Sequence, residues 1–285
     1  MFLPFRAYAK INLGLYVQAR RADGYHDICT VFHRVDLCDE IRFERSDGIE
    51  VVSSSPEAPG DESNLCFKAA RALQEYEVRQ QGVRIHLVKQ IPVGAGLGGG
   101  SSDAAAVLKM LPGFWRMTVA DRVLSELAAR IGSDVPYFLG HGSAIATGRG
   151  EILEYFSLNL PFTILVCHPA IHISTTWAYG AMKPSGRRPP DIRALLIRGM
   201  ENPACLRDEL QNDFEDAIVK RFPGIGEIKH VMTRGGAVYA SLSGSGSAVY
   251  GLFPDPGQAA TVAGQFEAQG YRTWTTPPHF QPAMG

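Results

Sequence analysis

Residues Pro92 to Ser102 read PVGAGLGGGSS, with five glycines among the seven positions from Gly94 to Gly100. Glycine loses more conformational freedom on folding than any other residue, so ordering such a run is costly and something should gain from the exposed backbone. The run lies between VRIHLVKQI, whose alternation predicts a strand, and SSDAAAVLKML, where Ala104, Val107, Leu108 and Leu111 share one helical face. A flexible linker seldom joins a well-formed strand directly to a well-formed helix. Backbone free of side chains can point successive N–H groups at an anion, and a helix starting near Ser101 adds its positive end. The segment therefore predicts a strand, a phosphate cradle and a helix, with the Ser101 and Ser102 hydroxyls available to phosphate or Mg²⁺.

Two familiar glycine patterns do not describe it. The spacing G-x-x-x-x-G-K-[ST] fails because Gly100 stands where lysine belongs after Gly94 and Gly99. The dinucleotide pattern G-x-G-x-x-G is matched by Gly94, Gly96 and Gly99. Its context is not, since Pro92 separates strand from loop and no strand ending in an acidic residue follows about 20 residues on.

At 285 residues the chain is long enough for two domains. Its 28 Lys and Arg against 29 Asp and Glu give a net charge of -1, without the basic excess of a nucleic-acid-binding protein. Glycine, 30 residues or about 10% against a usual 7%, is the one compositional excess. The cysteines Cys29, Cys38, Cys66, Cys167 and Cys205 are odd in number and widely spaced, which predicts reduced thiols in a cytoplasmic protein rather than a disulfide framework or a thiolate zinc site. Arg6, Lys10 and Asn12 interrupt the apolar N-terminus before a signal-peptide core can form, and no apolar run is long enough to span a membrane.

Along the chain, strands are expected at Ala7–Ala19, Val31–Val35, Ile41–Glu44 and Ile49–Ser53. A helix follows over Asn64–Tyr76, with Ser63 as its cap, and Thr118 opens another with Asp121 as capping-box partner. Gly132 ends that helix, and Ser133 with Pro136 starts a short one. The second half begins with the buried strand FTILVCHP, then has the basic loop KPSGRRPP, helical stretches around Ala194 and over Glu209–Phe222, the strands AVYASL and AVYGLF, a helix near Gln258–Gln269 and the strand YRTWT. The tail TPPHFQPAMG reads as loose. The order implies an α+β fold, with a ferredoxin-like second half and a boundary near residue 160, giving domains 1–160 and 161–285.

PVGAGLGGGSSDAA closely resembles the central motif of the GHMP kinases, the family of galactokinase, homoserine kinase and mevalonate kinase. AYAKINLGL (Ala7–Leu15) resembles its N-terminal strand motif and LSGSGSAVYGLF (Leu242–Phe253) its C-terminal glycine and serine loop, in family order. DGYH (Asp23–His26) and STTWAY (Ser174–Tyr179) are similar to the branch that phosphorylates the 2-hydroxyl of a cytidine diphosphate-linked methylerythritol in the non-mevalonate (MEP) isoprenoid pathway. The resemblance implies an ATP-binding N-terminal domain like ribosomal protein S5 domain 2, a ferredoxin-like C-terminal domain, and ATP with Mg²⁺ carried mainly by the nucleotide. It also implies a small-molecule substrate, with no nucleic acid or membrane partner, in a monomer or homodimer. Homoserine-type or mevalonate-type kinase activity, a non-catalytic nucleotide-binding member of the fold and a dinucleotide oxidoreductase are the alternatives.

The resemblance also implies roles. Phosphoryl transfer passes through a loose transition state, so positioning and charge neutralisation supply most of the catalysis. Asp134, in IGSDVPYF, matches the aspartate that receives the hydroxyl proton, and Lys10 the lysine that keeps it deprotonated and neutralises developing charge. The plainer readings are a helix cap for Asp134 and an edge charge for Lys10. Pro92, Val93, Gly94, Ala95, Gly96, Leu97, Gly98, Gly99, Gly100, Ser101 and Ser102 match the ATP loop, and Asn64 and Lys89 fall where relatives contact adenine. Tyr25, His26 and Tyr179 are candidates to read cytosine, two aromatic faces enclosing the base and His26 bonding its edge. Asn12 and Thr175 match positions near the methylerythritol and phosphate groups, and Gly244 and Gly246 allow close approach to the substrate diphosphate or to the first glycine loop. Trp177, two positions before Tyr179, reads as structural.

Overall fold

The computed structural model describes residues 4–77, 81–182 and 188–282. Its strands fall into two sheets. The first holds β1 (Phe5–Arg20), β2 (His26–Glu44), β3 (Ile49–Ser53), β4 (Val83–Val88), β5 (Ser143–Thr147) and β6 (Ile152–Phe156), in the order β3-β4-β2-β5-β6 with β1 paired antiparallel to β2 outside that path. The second, wholly antiparallel, holds β7 (Thr163–His168), β8 (Tyr239–Leu242), β9 (Val249–Phe253) and β10 (Arg272–Thr276) in the order β10-β7-β9-β8. Numbered within itself that order is 4-1-3-2, with helices before the β8–β9 hairpin and after it, the split βαβ arrangement expected of the second half. The chain passes from one sheet to the other between Phe156 and Thr163.

Packed with the first sheet are α1 (Leu65–Glu77), α2 (Gly99–Trp115), α3 (Asp121–Ile131) and α4 (Val135–Leu139), whose apolar faces share one core with Phe32, Ile41 and Ile85. The second half contributes α5 (Thr175–Ala181), α6 (Ile192–Glu201), α7 (Ala204–Glu209), α8 (Glu215–Arg221), α9 (Pro223–Arg234) and α10 (Pro256–Ala268). β1 joins the halves. It is buried over Ala7–Val17, with Ala9, Ile11 and Leu13 in a core that also contains Ile164, Val166 and Tyr250. The alternation of a strand then directs Lys10 and Asn12 to the opposite face. Tyr250 Oη also donates to Asn12 O at 2.8 Å, tying β9 to β1.

Several expectations need correction. Val31–Val35 and Ile41–Glu44 belong to one strand, because β2 pairs with β1 through the polar stretch and buries Asp39. The cap of α1 is Asn64, whose Oδ1 accepts from Cys66 N at 2.8 Å; Ser63 bonds Asp61 instead. α3 starts at Asp121 with Ala120 at its cap, so Asp121 is no partner of Thr118. α2 starts at Gly99, which puts Gly99 and Gly100 in its first turn. The stretch Glu209–Phe222 breaks at 210–214, where Leu15 N donates to Gln211 O at 2.7 Å and Asp213 N to Leu15 O at 2.9 Å. The β5–β6 hairpin, α5 and α9 were not foreseen. The tail is docked through Phe280, its ring 5.7 Å from that of Tyr8 and His279 N donating to Leu160 O at 2.8 Å. Most of KPSGRRPP, at 183–187, lies outside the described residues. Among the described residues no helix is long and apolar enough to cross a membrane.

Candidate active site

After β4 the chain buries Ile91 and Pro92 and then alternates. Ala95 and Leu97 turn their side chains into the core, each 1% exposed, while Gly94, Gly96 and Gly98 take left-handed φ values of 69°, 79° and 70°. Only glycine adopts that conformation freely, which is why every second residue is one. The loop is bonded inward through its carbonyls: Lys10 N reaches Leu97 O at 2.9 Å, Ser243 Oγ reaches Gly96 O at 2.9 Å and Ala248 N reaches Ala95 O at 3.1 Å. Carbonyls turned inward leave N–H groups for the cleft, next to the N-terminus of the 17-residue α2. A Cβ at Gly96 would lie 1.9 Å from Ser243 O, so the close approach of the two glycine loops requires glycine there.

Lys10, 4% exposed, extends along this loop. Its Nζ donates to Asn12 Oδ1 at 2.6 Å and Gly96 O at 3.1 Å, and lies 3.5 Å from Asp134 Oδ2 and 4.9 Å from the centre of the Phe32 ring. Burial pushes the ammonium below its ordinary pKa, and the Asp134 carboxylate opposes that. Asp134 occupies the N-cap position of α4, yet its side chain makes no capping bond and stays 31% exposed. The carboxylate is thus left to Lys10 and to whatever enters the cleft, and the capping reading fails. Asn12 Nδ2 donates to Thr30 Oγ1 at 3.0 Å, which fixes its amide.

Beyond Asp134 lie the aromatic residues. His26 and Tyr179 stack face to face, centroids 5.1 Å apart and planes 16° from parallel. His26 therefore presents its face, where an edge contact to a base was expected, and a base between these rings would have to part them. Tyr179 packs against Phe214 at 4.9 Å, and burial together with the charge of Asp134 pushes its phenol up to about 12. Tyr25 is 55% exposed, with the Arg149 guanidinium 4.9 Å from its ring centre. Thr175, at the start of α5, lies 3.4 Å from Ser245 Oγ, and Trp177 packs on Phe222. Gly244 and Gly246 hold φ values of 59° and 81°, and a Cβ at Gly244 would sit 3.3 Å from Asn12 Oδ1.

Three residues expected on the ATP side are engaged elsewhere. Lys89, with its side chain 4% exposed, is paired with Asp39 and, at 2.8 Å, with Asp103, so its ammonium is not free to reach adenine. Asn64 is committed to capping α1, its Nδ2 donating to Pro59 O at 2.6 Å. Ser102 Oγ donates to Tyr8 O at 2.8 Å, inside the fold. The structure thus brings together Lys10, Asn12, Asp134, Gly96, Gly98 and Gly244, with Tyr25, His26 and Tyr179 beside them. The Gly148–Arg149–Gly150 turn between β5 and β6 also borders the site. Gly148 O accepts from Ile28 N at 2.7 Å, and a Cβ at Gly150 would lie 3.6 Å from Asp134 Oδ1. Two glycines flanking an arginine after SAIAT were the available hairpin signal.

Residues 64–142 match the family described as GHMP kinases N terminal domain, and 192–272 match GHMP kinases C terminal. The chain is 44% identical to the 4-diphosphocytidyl-2-C-methyl-D-erythritol kinase of Chlorobium phaeobacteroides (strain BS1), covering 98% of each protein. It is 45% identical to that of Chlorobium limicola (strain DSM 245 / NBRC 103803 / 6330), covering 96% of each. A crystal structure of 4-(cytidine 5'-diphospho)-2C-methyl-D-erythritol kinase superposes with a TM-score of 0.80 at 35% identity, covering 96% of this chain and 98% of that one. A mevalonate kinase structure, at 15% identity and a TM-score of 0.73 over 97% and 99% of the two chains, shares the fold.

Proposed function

The chain belongs to the GHMP kinases, and from that membership we infer that it transfers the γ-phosphate of ATP to the 2-hydroxyl of 4-diphosphocytidyl-2-C-methyl-D-erythritol, a step of the non-mevalonate isoprenoid route. The observation that carries the chemistry is the 3.5 Å Lys10–Asp134 pair lying against the glycine loop, with the loop's own carbonyl on Lys10. The Gly94–Ser101 backbone and the start of α2 hold the nucleotide phosphates, and Asp134 receives the proton of the acceptor hydroxyl as its oxygen attacks. Lys10, fixed by Asn12 and Gly96, keeps that carboxylate ionised and neutralises charge gathering on the transferred group. Gly244 and Gly246 bring the second loop close enough for its backbone to meet the substrate diphosphate.

Tyr25, His26 and Tyr179 face the cytosine. The stacked His26–Tyr179 pair opens on binding, or the base enters on the Tyr25 side, where Arg149 stands ready for the adjoining phosphates. Mg²⁺ enters as the ATP complex. This cation keeps to substrate phosphates and one or two carboxylates, and Asp134 is a carboxylate open to the cleft. The chemistry the ion would supply when bound is neutralisation of phosphate charge, beside which Asp134 and Lys10 act on the acceptor hydroxyl and the transferred group. The division into domains falls near residue 160, and five unpaired cysteines support a reducing, cytoplasmic setting.

Incubation with Mg·ATP and the substrate should release ADP and yield a product heavier by one phosphate. Phosphorylation of homoserine or mevalonate instead would move the chain elsewhere in the family, and no ADP from any acceptor would overturn the kinase reading.

A further inference from the structure

A cavity of about 60 Å³ lies between the start of β1, the middle of α2 and the end of α4. Its charged lining is Arg6, Arg34, Lys109 and His141, and no aspartate or glutamate lines it. Arg34 Nη2 donates to Phe138 O at 3.0 Å and Gly140 O at 2.8 Å, which sets the guanidinium across the C-terminal end of α4; its Nε is buried and has no partner. After burial, the causes acting on Lys109 and His141 are cations. Arg34 acts on Lys109, Lys109 and Arg34 act on His141, and both groups are pushed down. Arg6 alone faces a carboxylate, Glu40, across the β1–β2 ladder. Two cations, Arg34 and Lys109, with the His141 ring beside them, gather at a partly closed space that no carboxylate lines and repel one another, an arrangement that an anion would relieve.

We propose that this cavity binds a tetrahedral oxyanion, as inorganic phosphate or as the terminal phosphate of a small phosphorylated metabolite. The Arg34 Nε–H, the Lys109 ammonium and the His141 ring are its donors. The volume is about that of two waters in the liquid, room for one such group and not for a nucleotide. A neighbouring cavity of about 350 Å³ shares Arg34 and His141 and continues toward Ser143 and Phe280, so the remainder of an esterified phosphate has a place to lie. The cavity touches Ser102, whose hydroxyl is turned inward to Tyr8 O, but its cation Lys109 is ten residues along α2 from Gly99, about 15 Å at the rise of a helix, away from the glycine loop.

The test titrates inorganic phosphate, and separately glycerol phosphate, into the whole protein at constant ionic strength with a non-hydrolysable ATP analogue saturating the glycine loop. Calorimetry and melting temperature are read for the wild type, Lys109→Gln and His141→Gln. Saturable binding with a rise in melting temperature is expected in the wild type, weakened at least tenfold in Lys109→Gln. Tighter binding of glycerol phosphate identifies a metabolite as the ligand, and equal or weaker binding identifies the free anion. In chloride buffer Lys109→Gln should melt at or above the wild type, since it removes a cation lacking a counter-charge, and the order should reverse in phosphate. Absence of saturable binding, an affinity in Lys109→Gln equal to that of the wild type, or a Lys109→Gln protein less stable than the wild type in chloride would overturn the proposal.

Discussion

Two buried lysines flank the same glycine loop and share little else. A Cβ at Gly98 would lie 3.2 Å from the Lys10 side chain, and one at Gly99 would lie 3.2 Å from Lys89 Nζ. Lys89 has two carboxylates, Asp39 and Asp103, with side chains 0% and 2% exposed, and Asp39 also accepts from Gln90 N and Ile91 N. Lys10 has one carboxylate, at 3.5 Å and 31% exposed, and fills its remaining valence with an amide and a carbonyl. The first arrangement is closed, and nothing in it can change partners without leaving a buried charge uncompensated. The second is incomplete, and its carboxylate opens to the cleft. A lysine's burial therefore says little about its task until the exposure of its partner is known.

The largest effect should come from the open pair. Asp134→Asn keeps the shape and removes the proton acceptor, so kcat should fall about 10²- to 10⁴-fold, while binding of the cytidine-linked substrate, read by calorimetry, persists. Lys10→Met should lower kcat as much, and the double variant little further, because the two groups act as a unit. An active Asp134→Asn enzyme would strip the pair of its role and make the two lysine sites alike.

The closed site should answer in stability instead. Lys89→Met removes the cation that compensates the buried Asp39 carboxylate beside Asp103, which costs about 3–5 kcal/mol in denaturant unfolding near neutral pH. Protein that still folds should keep a KM for ATP close to that of the wild type. A large rise in KM for ATP without loss of stability would return Lys89 to the nucleotide.

The open site was the more legible of the two. Lys10 and Asp134 stand in local motifs, AYAKINLGL and IGSDVPYF, and the density of glycines in PVGAGLGGGSS points to a backbone phosphate cradle. The pairing of Lys89 is not visible locally, because its partner Asp39 is 50 residues away on β2, brought into reach by a strand that runs unbroken through polar residues. The resemblance alone puts Asn64 at adenine, and Ser63 beside it is an equally good cap by residue type, so the local sequence does not show that Asn64 takes the cap. The face-to-face meeting of His26 and Tyr179 depends on β2 and α5 coming from different halves of the chain, and no local pattern carries that.

The smallest effect separates the two sites by pH. Burial raises the Asp103 carboxyl, Lys89 opposes, and the nearby Asp39 carboxylate adds to the rise, bringing it to about 8. A carboxyl raised on folding holds its proton more tightly in the native state. Its contribution is complete below the ordinary carboxylate pKa and is lost as pH climbs through about 8, where the second negative charge has to be buried against one lysine. Wild-type stability should therefore decline between about pH 4 and pH 8 by an amount attributable to this site. Asp103→Asn supplies a neutral side chain of the same shape, leaves Asp39 and Lys89 as a balanced pair, and should flatten that decline. Unfolding midpoints of the two proteins should converge at low pH, part from about pH 4 and differ most above about pH 8, the variant being the more stable, with kcat unchanged throughout. Parallel curves would mean that Asp103 is ionised at every pH tested, and that the closed site holds its two charges as readily as the open one holds its single carboxylate.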